Sequence, residues 1–146
     1  MKLGSKIAVC ILVAATLGGC ASVPMASADA DAKAKTFVPP PAGQANIYVY
    51  RNETFGSAIK MPLLLDNQSI GDTGPHTFVL RQVAPGKHTV LSKTEKDATV
   101  DIDAQAGNTY YVWQEVKMGA FAARSALHLV DEHTGEDGVK QCKLIQ

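Results

Sequence analysis

Asp97-Ala98-Thr99-Val100-Asp101-Ile102-Asp103 alternates apolar and polar residues at strict period two. In a strand this spacing puts Ala98, Val100 and Ile102 on one face and Thr99, Asp101 and Asp103 on the other. One face is buried and one wet, which is the signature of an antiparallel sheet.

Working outward, the same texture recurs on both sides of this segment. Upstream, residues 76–83 and 87–93 are strand-like and are separated by Ala84-Pro85-Gly86. Proline presets one turn position and glycine supplies positive φ at the next, so a hairpin or a corner between sheets is expected there. Further upstream, Asn46-Ile47-Tyr48-Val49-Tyr50-Arg51 and Met61-Pro62-Leu63-Leu64-Leu65 read as strands, with Asp66-Asn67 as a turn and residues 68–71 as a short return. Pro62 cannot donate to a ladder, which favours an edge or a strand start. Downstream, Gly107-Asn108 introduces Thr109–Lys117, and Arg124–Asp131 is the last clear strand. Residues 136–145 are ambiguous between a short helix and an edge strand. About seven short strands and no long helical period predict an all-β fold, a single antiparallel β-sandwich over residues 45–146.

Residues 1–44 have a different texture. Lys2 and Lys6 precede the apolar run Ile7–Ala15, the charge-then-apolar order of an export signal. The run is too short for a spanning helix, and no second one follows. It closes on Leu17-Gly18-Gly19-Cys20, which resembles the lipobox of bacterial lipoprotein precursors. The resemblance implies a signal peptide over 1–19, cleavage between Gly19 and Cys20, and a lipid on the Cys20 sulfur. Ala21, where an aspartate would resemble an inner-membrane retention signal, implies the outer membrane, facing the periplasm. Residues 20–44 are rich in alanine and charged residues and end in Pro39-Pro40-Pro41, so they read as a flexible, then stiffened, tether. Extended, such a tether reaches up to about 75 Å.

The chain is formally neutral. Loss of Lys2 and Lys6 leaves all 14 acids in place and takes the mature chain to about −2, which argues against nucleic acid as a partner. Of three cysteines, Cys10 lies in the signal, Cys20 is the lipid site and Cys142 alone remains, so the domain must be stabilised by its core. Cys142 is expected to be packed rather than reactive.

Three segments also carry a resemblance to a known family. Ile47-Tyr48-Val49-Tyr50-Arg51, Val83-Ala84-Pro85-Gly86-Lys87-His88-Thr89-Val90 and Gly107-Asn108-Thr109-Tyr110-Tyr111-Val112 resemble, in this order, the lipoproteins grouped as domain of unknown function 2846. The likeness spans Ala45 to Ile145. It implies a β-sandwich lipoprotein and brings no activity with it. The Pro85-Gly86 turn is also similar to that of PEGA-type modules.

No catalytic constellation stands out. There is no Gly-x-Ser-x-Gly elbow, phosphate loop or paired Cys and His, and no cofactor is implied. His76, His88, His128 and His133 lack the short paired spacings of zinc ligands, so no metal is expected. Asp101 and Asp103 share a face about 7 Å apart, but that face is the wet one. Tyr111 and Trp113, at i and i+2, form an aromatic shelf that could stack on a sugar or a partner side chain, unless the C-terminal tail with Val139, Leu144 and Ile145 covers it. Met118-Gly119-Ala120-Phe121-Ala122-Ala123 is apolar where a polar turn is usual. Phe121 is expected to plug the end of the sandwich, with contact to a partner or membrane as the alternative. The sequence therefore predicts an outer-membrane-anchored, non-catalytic lipoprotein with a binding or structural role and an envelope protein or glycan as partner. A carbohydrate- or peptidoglycan-fragment-binding module is the alternative, and a small envelope hydrolase is disfavoured.

Overall fold

The computed structural model describes residues 20–146; the expected signal peptide, with Leu17, Gly18 and Gly19, lies outside them. The architecture is set by strand β1, Ala45–Arg51, in which all seven residues are buried. A strand covered on both faces needs a layer on each side. Ile47 and Val49 point into the space between two sheets, and Tyr48 and Tyr50 point the other way.

The first sheet has the order β8-β7-β1-β4-β9, where β4 is Thr77–Val83, β7 Thr109–Lys117, β8 Arg124–Val130 and β9 Lys143–Leu144. The second has the order β3-β2-β5-β6, with β2 Met61–Leu65, β3 Gln68–Thr73, β5 Gly86–Ser92 and β6 Ala98–Ala104. Together they form the expected all-β sandwich, with nine strands rather than about seven. Most pairings are antiparallel, but β1 runs parallel to β7 and β4 parallel to β9.

The core between the sheets is aliphatic: Ile47, Val49, Leu63, Val79, Val90, Ile102 and Val112 are buried. Strand β6 contributes Ile102 and Ala104 to it and leaves Asp101 and Asp103 exposed, as the alternation requires. Asp66 and Asn67 take φ of 51° and 65°, the double left-handed conformation of a two-residue type I′ hairpin between β2 and β3.

On the outer face of the first sheet lies an aromatic layer. Tyr48 stacks on Tyr111 at 5.1 Å between ring centroids and on Phe78 at 6.1 Å. Two helices cover it, α1 (Ala28–Ala34) and α2 (Glu132–Lys140). The C-terminal segment thus supplies both of the elements between which its sequence is ambiguous, helix α2 and then edge strand β9. Asp131 caps α2 by accepting from Thr134 N at 3.0 Å. Gly135 and Gly138 let α2 lie directly on the sheet, because a Cβ on either would collide with the ring of Tyr111 or Tyr50.

The flexible tether expected over residues 20–44 is corrected by the structure. Ser27 caps α1 by accepting from Ala30 N, and the Ala34 carbonyl accepts from the Tyr48 hydroxyl at 2.8 Å. Asp31 accepts from Leu144 N at 2.7 Å. Phe37 packs at 5.8 Å from Tyr48, and Val23 and Ala34 are buried. Met25 bridges to Ile145, and Ala26 N donates to Leu144 O. Small residues left little apolar area for docking, but Val23, Ala34 and Phe37 each occupy a formed site. The segment lies along the sandwich, so a reach of about 75 Å does not apply to it.

Candidate functional site

Residue Cys20 is exposed, and the chain after it is fastened at once: Ala21 N donates to Ser57 O at 2.7 Å. Ser57 belongs to the connection between β1 and β2, residues 52–60. Strand directions bring this connection to the same end of the sandwich as residues 118–123, which join β7 to β8, and residues 93–97, which join β5 to β6.

Two charged side chains organise that end. Arg51 closes β1 and is fully buried. Its guanidinium donates from Nη1 to Ile59 O at 2.8 Å and from Nη2 to Gly56 O at 2.7 Å and Phe55 O at 3.2 Å. Burial lowers its pKa and nearby Glu53 opposes that shift, but a guanidinium stays charged in a protein. A buried cation requires such acceptors, so the 52–60 connection is wound around it. Glu53 in turn accepts from Val116 N at 3.3 Å and links this connection to β7.

Glu95 does the same for residues 118–123. Its carboxylate accepts from Ala120 N at 3.0 Å, Phe121 N at 3.3 Å and Arg124 Nε at 3.1 Å. Desolvation pushes the carboxyl up, but Arg124 and the backbone N–H groups outweigh it and hold the group below the usual carboxylate range.

The side chains these two hubs present are apolar. Phe121 is 97% exposed and Met118 81%; Phe55 and Ile59 are also exposed. Phe55, Ile59, Val116, Met118 and Phe121 line one shallow groove shared by the two connections. Phe121 is therefore not the expected plug. The short turn held by Glu95 aims it outward, and the end of the sandwich is closed instead by Arg51, Val116 and a buried polar chain. In that chain Gln114 meets Thr73 and donates to Ser92 Oγ at 2.6 Å, while Ser125 Oγ donates to Ser92 Oγ at 2.7 Å.

Of the aromatic shelf and its cover by the C-terminal tail, the structure shows the cover over Tyr111. Tyr111 and Trp113 share the face away from the aliphatic core, but Tyr111 is buried beneath Gly135 of α2. Val139 joins this cover, whereas Ile145 packs into the inter-sheet core. Trp113 is half-buried and stacks on His128 at 5.0 Å. It opens with Tyr50, Asn52, Asp137 and Gln141 onto a cleft between β1, β7 and α2. Tyr111, Trp113 and Phe121 thus do not form one surface.

The histidines are dispersed. His88 faces Asp66 Oδ2 at 2.6 Å through Nδ1 and Ala84 O at 2.7 Å through Nε2. His128 meets Glu115 at 2.8 Å, His76 meets Thr54 at 3.0 Å, and exposed His133 lies 3.6 Å from Asp137. Asp101 accepts from Thr89 Oγ1 at 2.6 Å on the wet face. Cys142 is buried, its thiol 3.4 Å from Arg51 O, and burial pushes it up to about 12.

Sequence reasoning missed Arg51 and Glu95. The signal at Arg51 was available as a charged residue closing an otherwise apolar strand, but nothing in the spacing says that it turns inward. Glu95 lies 25 residues from the segment it holds, and that pairing is legible only in the fold.

The family described as protein of unknown function (DUF2846) matches residues 41–126, more than half of the chain. The chain belongs to this family. An uncharacterised protein of Haemophilus influenzae is 31% identical over 133 residues, covering 90% of this chain and 79% of its own length. No solved structure matches the chain. The DUF2846 match begins in the proline run and ends in β8, so it includes Arg51, Glu95 and the apolar residues at the Cys20 end, whereas α2 and β9 lie beyond it.

Proposed function

We propose that this DUF2846 protein is an outer-membrane lipoprotein facing the periplasm, anchored by a lipid on Cys20, with a non-catalytic binding or structural role. The observation that carries the reading is the Leu17-Gly18-Gly19-Cys20 sequence ending on a cysteine that is exposed while the chain directly after it is clamped to the folded body. An exposed thiol at that junction is accessible to a modifying enzyme without any unfolding of the domain. Ala21 in place of an aspartate supports the outer membrane. The test is the mass of the N-terminal peptide of the mature protein, with and without globomycin. A diacylglyceryl-modified Cys20 and accumulation of precursor under globomycin are expected; an unmodified Cys20 in a fully processed chain overturns the reading.

A second reading, binding of a glycan or peptidoglycan fragment, is favoured by the cleft at Trp113. The indole Nε1 is buried without a hydrogen-bond partner among the described residues, and Asn52, Asp137 and Gln141 supply polar groups around the cleft, whose floor includes the buried Tyr50. Aromatic faces flanked by amide and carboxylate groups suit a sugar ring. Trp113 is the only tryptophan, so a saturable change in its emission on adding muropeptides supports this reading and an unchanged emission removes it.

A further inference from the structure

We propose that the apolar end built from residues 52–60 and 118–123 docks directly into the membrane interface beside the lipid on Cys20, giving the protein a second, side-chain-mediated membrane contact. The proposal rests on the lipidation of Cys20 put forward above and adds the orientation of the domain to it.

Three observations converge on a bilayer as the occupant. First, the anchor and the apolar end are adjacent: Ala21 N is 2.7 Å from Ser57 O, within the connection that presents Phe55 and Ile59. A lipid inserted at Cys20 leaves no slack in the backbone, so residues 52–60 must lie at headgroup level. Second, the exposed side chains are the kind that partition there. Phe121, Met118, Phe55 and Ile59 project from two neighbouring connections, next to exposed Lys60, which follows Ile59, and exposed Lys117, which precedes Met118 and pairs with Glu115 at 2.8 Å. Apolar tips enter the acyl boundary, and lysine stems carry their charges back to the headgroups. Third, the end is built to stay open to its surroundings. Hydrogen bonds from Arg51 and to Glu53 and Glu95 hold these connections with their apolar residues outward. Unheld, Phe121 and Met118 could fold back over the groove they border.

A second copy of the chain fits less well. Two such ends meeting face to face would trap both Cys20 lipids between the copies, away from any bilayer.

The test uses the full chain, exported and purified with its natural processing, carrying Trp113→Phe and Phe121→Trp so that the one indole reports on the tip. It is reconstituted in vesicles of phosphatidylethanolamine and phosphatidylglycerol, with or without bromine on the acyl chains, and the N-terminal mass is read on the same sample. A blue-shifted emission that brominated lipid quenches about twofold or more is expected, as for a side chain at the acyl boundary. Lipidated protein whose indole emits as in water and is not quenched overturns docking and leaves anchoring standing. Unlipidated protein whose indole is still quenched on adding vesicles supports docking and removes the anchor. A blue shift without quenching, accompanied by a dimer in sedimentation, makes the end a self-interface and overturns the proposal. Met118→Ser with Phe121→Ser, both at exposed positions, is expected to weaken vesicle binding of unlipidated protein while thermal stability is unchanged.

Discussion

The Tyr48 hydroxyl donates to the Ala34 carbonyl oxygen at 2.8 Å and so joins the last turn of α1 to the central strand of the sandwich. Burial pushes the phenol up to about 12, so it is a neutral donor throughout the physiological range. Tyr48→Phe keeps the ring stack and removes only this bond. It is expected to cost about 1 kcal/mol, and to raise amide exchange across residues 21–37 while leaving β1 protected. Exchange measured by mass spectrometry checks both parts.

Gly135 lies against Tyr111, and Gly138 against Tyr50, closely enough that any side chain collides with a ring. Gly135→Ala should therefore destabilise by about 1–3 kcal/mol or more, the range for overpacking, even though alanine is the better helix former. A helix-propensity effect alone would give the opposite sign, so thermal or urea unfolding separates the two.

His88 faces a carboxylate through one ring nitrogen and a carbonyl through the other, an arrangement in which both nitrogens donate and the ring is cationic. Desolvation lowers its pKa, but the bonds to Asp66 and Ala84 outweigh that and raise it; the Asp66 carboxyl is lowered, first by His88 and then by Thr89 N. The raised His88 value stabilises the fold below its unfolded pKa of about 6.5 and is lost as pH rises through the folded value. The lowered Asp66 value stabilises above about 3.9 and is lost as pH falls through its folded value. The melting-temperature gap between the natural chain and Asp66→Asn is expected to be widest between these limits and to narrow toward alkaline pH. A gap that widens steadily above neutrality would refute the pairing.

Glu95→Gln removes the charge that gathers Ala120 N, Phe121 N and Arg124 around one carboxylate. Amide exchange at residues 119–123 should rise about tenfold or more, with little change in global unfolding, because a surface connection opens independently of the core. Site-resolved exchange checks this.

Cys142 is buried with its thiol pushed up to about 12, and Cys20 is exposed. Since only thiolates react, native protein lipidated at Cys20 should show no rapidly alkylated thiol at pH 8 and unlipidated mature protein one. Cys142 should react only after denaturation, and counting adducts by mass distinguishes the cases.

The sandwich was legible where residues answer to their own strand. Ala98 to Ile102 alternate because one face of β6 is wet, and that pattern is local. Helix α2 was legible only as one of two alternatives, since a nine-residue segment with two glycines reads as a poor helix. Its glycines answer to Tyr111 and Tyr50 on distant strands rather than to helix propensity. Residues 20–44 depart from their local texture for a related reason. Few large side chains suggested too little area to offset ordering, yet Tyr48, Phe78 and Tyr111 had already built the surface on which Ala34 and Phe37 settle. At the candidate site the cysteine and the apolar residues 118–123 were visible in order along the chain. Their shared location depends on the parallel pairing of β1 with β7, which alternation does not encode.

The bridge between Met25 and Ile145, with Gln146 N on Pro24 O and the Gln146 side chain on Met25 O, joins the two ends of the described chain. Ala21, Ala34 and Phe37 are held by Ser57 and Tyr48, but residues 24–26 are fastened only once residues 144–146 have joined β4. The two ends of the described chain thus close one seam together, and neither is secured there before the other arrives.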